Sequence, residues 1–294
     1  MNTDRIKKVL LYSAITFLSV YFITIIIVLI YGRGVCGHKS GKIGIIKIEG
    51  VIFSSSSTVA QIKDVKENDI IKAIVIRIDS PGGSVTPSQE IYHEIIKLKN
   101  DTNKKVVVSM ANTAASGGYY IACAADKIMA NAGTITGSIG VITRIPNLEG
   151  LFGKIGYEEQ VVKSGKFKDI GSSSRPLTQE EEKILQDTID DIHDQFIEAV
   201  SESRNIDKED VKKIADGRIF TGRQAMKIHL IDELGTMEDA IDLAADLVGI
   251  AGKPSVLNLR EERTIYDIFK DFVGQVFKKN PLDWSPIRLQ YILI

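Results

Sequence analysis

Lys72 to Lys99 reads KAIVIRIDSPGGSVTPSQEIYHEIIKLK, and three kinds of segment follow one another within it. KAIVIRID, Lys72 to Asp79, is an almost continuous apolar run, the pattern of a strand buried on both faces. Ser80-Pro81-Gly82-Gly83 interrupts it with a turn signal. Thr86-Pro87 then opens a helix to about Lys99, with Thr86 as N-cap and Pro87 at the first helical position, where no intrahelical donor is lost. The same order recurs at once: KKVVVSM, Lys104 to Met110, is a strand, ANTAASGGYY, Ala111 to Tyr120, a loop, and Tyr119 to Ala125 a small-residue helix. Alternation with connections this short argues a parallel-rich α/β sheet with flanking helices and against an antiparallel sandwich.

Outward from this unit, KIGIIKIEGVI, Lys42 to Ile52, is an earlier strand, and Asp126 to Ala130, Ser138 to Thr143 and Glu158 to Lys163 read as shorter ones. Ser164 to Pro176 is a polar loop. Thr178 with Glu181 matches a capping box, and Ile184, Leu185, Ile189, Ile192, Phe196 and Ile197 follow at helical spacing through about Ser203. Further helices are expected near Asp210 to Ala215, Arg223 to Ile228 and Met237 to Val248. Thr264 to Lys279 reads as an amphipathic helix. The tail, Tyr291-Ile292-Leu293-Ile294, is extended and apolar enough to enter a peptide-binding groove, the alternative for this extension being a helix packed on its own or a neighbouring subunit.

Of 294 residues, 26% are charged and 44% hydrophobic, which excludes a disordered, collagen-like or disulfide-scaffold chain. A net charge of -1 argues against nucleic acid as a partner. Val9 to Tyr31 carries no charge and at about 1.5 Å per residue spans roughly 34 Å, enough for a transmembrane helix. Arg5, Lys7 and Lys8 before it place the N-terminus in the cytoplasm and the rest outside; a cleaved signal peptide is the competing reading, against which the run is long. The expected organisation is a cytoplasmic N-terminus at 1–8, a membrane helix at 9–31, a linker at 32–41, an α/β domain at 42–252 and a C-terminal extension at 253–294. Cys36 and Cys123 lie in unrelated settings, so no stabilising disulfide is expected.

Ligand sites in open α/β sheets gather at the carboxyl ends of strands, where both glycine-bearing loops lie. Ser116 stands between Ala114-Ala115 and Gly117-Gly118, residues small enough to permit the sharp strand-to-helix turn of a nucleophile elbow. Backbone N–H groups there, and at Gly82-Gly83 where no Cβ obstructs approach, could hold an oxyanion. Each loop taken alone reads first as a turn or a close packing contact. A serine hydroxyl needs a base; His38 lies in the membrane-proximal linker, and His93, His193 and His229 fall in expected helices at positions that read as solvent-facing or packed, which argues against a histidine triad. A neutral lysine can serve, which means lowering its pKa from about 10.4 to near 7–8 by burial. Lys163, Lys166 and Lys168, around the Ser164-Gly165 turn, are the candidates.

Taken together, SPGG at Ser80 to Gly83, AASGGYYIA at Ala114 to Ala122, TGSIGV at Thr136 to Val141, SGKFKDIGSSSRPLT at Ser164 to Thr178 and ADGRIFTGRQAMKIHLIDELG at Ala215 to Gly235 resemble the short bacterial form of the signal peptide peptidase A family. The resemblance runs from about Lys42 to Ile250. It implies a ClpP/crotonase-like fold, preceded by the membrane anchor, and a Ser/Lys-dyad serine endopeptidase that degrades remnant signal peptides at the cell membrane without metal or organic cofactor. By motif position it implies Ser116 as nucleophile, Lys168 as general base with Lys166 a neighbour, Gly83 as oxyanion donor and Ser138 as the residue that orients the lysine; Gly117 is a second donor from the turn itself. It further implies a homo-oligomeric ring, an octamer, with serine and lysine from adjacent protomers. Gly171-Ser172 and Ser84 depart from the family's usual residues. A crotonase-like acyl-CoA enzyme and a catalytically silent membrane scaffold are the alternatives.

Overall fold

The computed structural model describes residues 16–23, 41–259 and 290–292. The chain divides into two units, residues 1–40 and 41–294. In the first, residues 16–23 are helical, and among the described residues no helix is long and apolar enough to cross a membrane. Most of the expected span Val9 to Tyr31 lies outside the described residues, as do Cys36 and the expected helix Thr264 to Lys279.

The second unit is built on an eight-stranded sheet. β1 (Lys42–Glu49) pairs in parallel with β2 (Ile71–Ser80), and β2 in parallel with β4 (Lys105–Ala115). The far edge of β4 is divided: Val107 to Met110 pair with β5 (Lys127–Ala130), and Thr113 to Ala115 with β6 (Ile135–Gly137). β7 (Ile219–Thr221) adds antiparallel to β6, β8 (Glu233–Leu234) parallel to β5, and β9 (Ser255–Asn258) parallel to β1. A separate two-stranded pairing joins β3 (Gly82–Ser84) to β10 (Gln290–Ile292).

The continuous apolar runs are explained by cover on both faces. Ile74, Ile76 and Ile78 of β2 and Val106, Val108 and Met110 of β4 join the larger core, with α1 (Ser56–Glu67), α2 (Val85–Asp101), α3 (Gly117–Ala122) and α5 (Gln179–Arg204). Ala73, Val75 and Val107, one residue out of phase, face Ala240, Ile241, Ala244 and Ala245 of α8 (Met237–Leu247). α6 (Lys208–Ile214) and α7 (Gly222–Lys227) complete the frame. Between β6 and α5 the chain leaves the core, and α4 (Glu149–Ile155) there buries no residue.

Four local expectations are corrected. The helix after SPGG starts at Val85 with Ser84 as N-cap, not at Thr86-Pro87; Pro87 is tolerated at the third position because first-turn N–H groups have no intrahelical acceptor in any case. Gly82-Gly83 are not loop but strand, through their partner β10. Pairing of the strand expected at Ser138 to Thr143 instead precedes it, at Ile135–Gly137, since Ser138 turns at φ 50. Glu158 to Lys163 forms no strand; among the described residues none pairs with it, and Val161 and Val162 are exposed. The capping box of Thr178 and Glu181 forms as expected.

Candidate active site

β4 ends at Ala115 and α3 begins at Gly117, so one residue makes the turn. Ser116 takes φ 52 and ψ −116, outside the regions open to an L-residue without strain, and such conformations typically cost about 1–3 kcal/mol and collect at functional sites. Its N–H donates to the Gly137 carbonyl at 2.8 Å and its carbonyl accepts from the Tyr120 N–H at 2.8 Å, which pins the turn from both sides. Ser116 is 1% exposed and its Oγ has no hydrogen-bond partner among the described residues. A buried hydroxyl left unsatisfied is expensive and points to a missing partner.

The flanking glycines are there because neighbours approach the backbone. A methyl group on Gly117 would lie 2.6 Å from Ser88 Oγ, and one on Gly118 3.1 Å from the Ser80 carbonyl. One on Gly83 would lie 2.1 Å from the Ile52 carbonyl, and one on Gly82, at φ +100, 2.1 Å from the Tyr291 carbonyl and 2.7 Å from the Gly117 nitrogen. SPGG and the Ser116 turn thus meet on one side of the site. Ser138 meets them from the other: Ala115 pairs with Gly137, and the Ser138 N–H donates to the Arg218 carbonyl at 2.8 Å.

Lys168 is not brought to Ser116 within this chain. It lies on the Ser164 to Pro176 loop, is exposed, and its backbone N–H donates to Gly165. Of the three candidate lysines, Lys163 is ion-paired with Asp169 and Lys166 with Glu180, whereas the Lys168 ammonium has no ion pair or hydrogen bond among the described residues. The loop itself is braced. Arg175 forks onto Glu181 (Nη1 to Oε2 2.8 Å, Nη2 to Oε1 2.6 Å) and reaches Asp169 Oδ2 through Nε at 3.3 Å. Those bonds hold the Glu181 carboxyl down at about 2 and Asp169 below the ordinary carboxylate range, Lys163 being the larger influence on the latter. Cys123 is buried, and burial pushes its thiol up to about 11, so it is a packing residue.

The model of Peptidase family S49 matches residues 98–251, just over half of the chain and the span that holds Ser116, Ser138 and the lysine loop. The chain belongs to peptidase family S49. A Clp protease model also matches, over residues 44–136. The Synechocystis protein named "Putative protease slr0021" is 51% identical over 212 residues, covering 71% of this chain and 75% of that one. "Putative signal peptide peptidase SppA" of Enterococcus faecium is 36% identical over 219 residues, 70% of this chain and 63% of its own. "Serine protease SPPA, chloroplastic" of Arabidopsis thaliana is 36% identical over 215 residues, 73% of this chain but 32% of its own. As a member of S49 the protein is a serine peptidase with a ClpP-like mixed α/β fold.

One part of this S49 site was only hinted at in the sequence. β10 runs antiparallel to β3, with Tyr291 opposite Gly83, and on its other side Gln290 exchanges both backbone hydrogen bonds with Ile142 at 3.0 and 3.1 Å. Gln290–Ile292 therefore lies as an extended peptide between two backbone edges, beside the serine turn. The Tyr291 ring is fully buried, stacked on Tyr120 at 5.4 Å and tilted against Phe196 at 4.8 Å, and its hydroxyl donates to the Ile192 carbonyl at 3.2 Å. Ile192 and Phe196 were legible as an apolar stripe; that the stripe would pack against the Tyr291 ring beside the site was not. The brace of Asp169, Arg175 and Glu181 was also missed, although its signal, alternating charges within an otherwise polar loop, was present.

Proposed function

We propose that this S49 peptidase is a membrane-anchored serine endopeptidase that degrades remnant signal peptides, with Ser116 as nucleophile and Lys168 as general base. The observation that carries the reading is the strained, buried Ser116 turn with an extended peptide strand lying against it. In the proposed reaction, neutral Lys168 takes the Ser116 proton, the alkoxide attacks a peptide carbonyl, and the N–H groups of Gly83 and Gly117 stabilise the oxyanion. The C–N bond breaks, the proton passes to the leaving amine, and water hydrolyses the acyl-enzyme. Ser138, on its own strained turn facing the same loop cluster, orients the lysine.

Substrate class is supported by the groove. An apolar, extended segment already occupies it, and Tyr120 and Phe196 form an aromatic cavity for one side chain, which suits the apolar cores of signal peptides. The tail in this reading occupies a substrate's place, with Tyr291 supplying the carbonyl beside Gly117.

The base comes from a neighbouring protomer of a homo-oligomeric, octameric ring. Supporting this, Lys168 is exposed in the single chain and lies on an arm that leaves Leu151, Ile155, Tyr157 and Val162 exposed, apolar surface of the kind that subunit contacts cover. Burial at such a contact disfavours an ammonium and so yields the neutral base. The anchor, residues 9–31, would hold the catalytic domain, 42–252, outside the cytoplasm, where released signal peptides are met in the membrane. Cleavage of a fluorogenic signal-peptide substrate by detergent-solubilised full-length protein, wild type against Ser116→Ala, tests the reading; equal turnover would refute it.

A further inference from the structure

Asp169 is the residue directly after Lys168, and a free carboxylate there would be available to trap the lysine's charge. It is not free. Both of its oxygens are engaged, Oδ1 by the Lys163 ammonium and Oδ2 by Arg175, whose Nη2 lies 3.1 Å away. Arg175 is itself locked, because its fork meets the Glu181 carboxylate, which is 3% exposed at the side chain and also accepts the Thr178 N–H at 2.9 Å as part of the α5 capping box. The bidentate geometry fixes the guanidinium in one orientation. Of the other charges around the loop, Lys166 is paired with Glu180 from α5, while Glu149 and Glu159 line the cavity shared by Lys163, Asp169 and Arg175 without an ion pair among the described residues.

We infer that Arg175 and Lys163 are positioning residues, which sequester Asp169 so that Lys168 stays unpaired and able to serve as a base. The inference rests on the assignment of Lys168 as the base, and the two fail differently. The α5 cap is the fixed point; Arg175 carries its rigidity to the residue beside the base. Removing Arg175 or Lys163 releases an oxygen of Asp169 to the Lys168 ammonium, and an opposite charge at that range favours the protonated form. The consequence is a change in how activity depends on pH, not only a change in stability.

The experiment uses full-length protein and one fluorogenic peptide across pH 6–10. In Lys163→Gln, which leaves the buried Arg175–Glu181 fork intact, the rising limb of kcat should move up by about one pH unit, with kcat near pH 7.5 reduced about tenfold and KM within about twofold. Arg175→Gln should move it the same way or further, and Arg175→Lys only in part. Adding Asp169→Asn to Lys163→Gln should return the limb to its wild-type position, a rescue that a merely structural role does not predict. An unmoved limb in Lys163→Gln, or a double variant that stays shifted, overturns the inference. Retained activity in Lys168→Ala would instead overturn the base assignment itself.

Discussion

Tyr291 lies directly opposite Gly83 in antiparallel register, so the chain's own tail pairs with the glycine strand next to the Ser116 turn. A methyl group at Gly82 would collide with the Tyr291 carbonyl oxygen, which sets that carbonyl beside the Gly117 nitrogen. The residue whose side chain fills the aromatic cavity is thus the one whose carbonyl approaches the serine. That relationship gives the proposed chemistry a direction along the peptide.

Ser116→Ala and Lys168→Ala should each reduce peptide cleavage at least about 1,000-fold, as loss of a nucleophile or its base does. Lys166→Ala, which loses only an exposed pair with Glu180, and His193→Ala should retain most activity. Steady-state kinetics on all four variants provides the check, and a Lys168→Ala enzyme near wild-type rate would remove that residue from the mechanism.

If the dyad is shared between protomers, the two inactive variants should complement each other. Co-assembly of Ser116→Ala with Lys168→Ala subunits should regain part of the wild-type rate wherever intact serine meets intact lysine. Rings that form, by size-exclusion chromatography with light scattering, yet remain inactive would show each dyad to be built within one chain.

The tail should be a slow substrate of the enzyme. Intact-mass measurement should find wild-type protein trimmed after Tyr291 and the Ser116→Ala protein whole. In trans, peptides with tyrosine at the position Tyr291 occupies should be cleaved at least about 100-fold faster, by kcat/KM, than those with alanine, given the apolar area an aromatic side chain buries. Phenylalanine should fall about threefold to tenfold below tyrosine, the worth of one neutral hydrogen bond to the Ile192 carbonyl. No ranking by side chain would contradict this use of the cavity.

Acid should loosen the lysine loop before it unfolds the core. Glu181 has a folded-state carboxyl near 2 against an ordinary value of 4.5, chiefly through Arg175. A depressed carboxyl contributes stability that is complete above the ordinary value and is lost as pH falls toward the folded one, so the window is about pH 4.5 down to 2. Hydrogen exchange at Ser164 to Glu181 should accelerate across that window ahead of β2 and β4. Arg175→Ala, which strands a buried carboxylate, should cost roughly 3 kcal/mol at neutral pH by denaturant titration.

Much of this protein was settled by the sequence alone, wherever the determining forces act within a few residues or along one face. The runs at Lys42 to Ile52, Lys72 to Asp79 and Lys104 to Met110 carry apolar residues at consecutive positions in their middles because both faces are covered there, which required a parallel sheet between helical layers. The Thr178 and Glu181 cap was legible because both partners lie in one turn. Small residues around Ser116 announced a tight turn, since only they leave room for it. Tertiary structure decided the rest. Whether Gly82-Gly83 is loop or strand depends on Tyr291, far away in the chain, and Ser84 rather than Thr86 caps α2 because that pairing fixes where the helix can start. Ser138 to Thr143 and Glu158 to Lys163 have strand-like side chains, but β6 ends at Gly137 because Ser138 turns the chain, and beyond it only Ile142 makes a bridge, to Gln290 of the distant tail. Likewise no pattern in the sequence distinguishes a buried lysine from an exposed one: Lys163, Lys166 and Lys168 differ only in which carboxylates the folded loop sets against them.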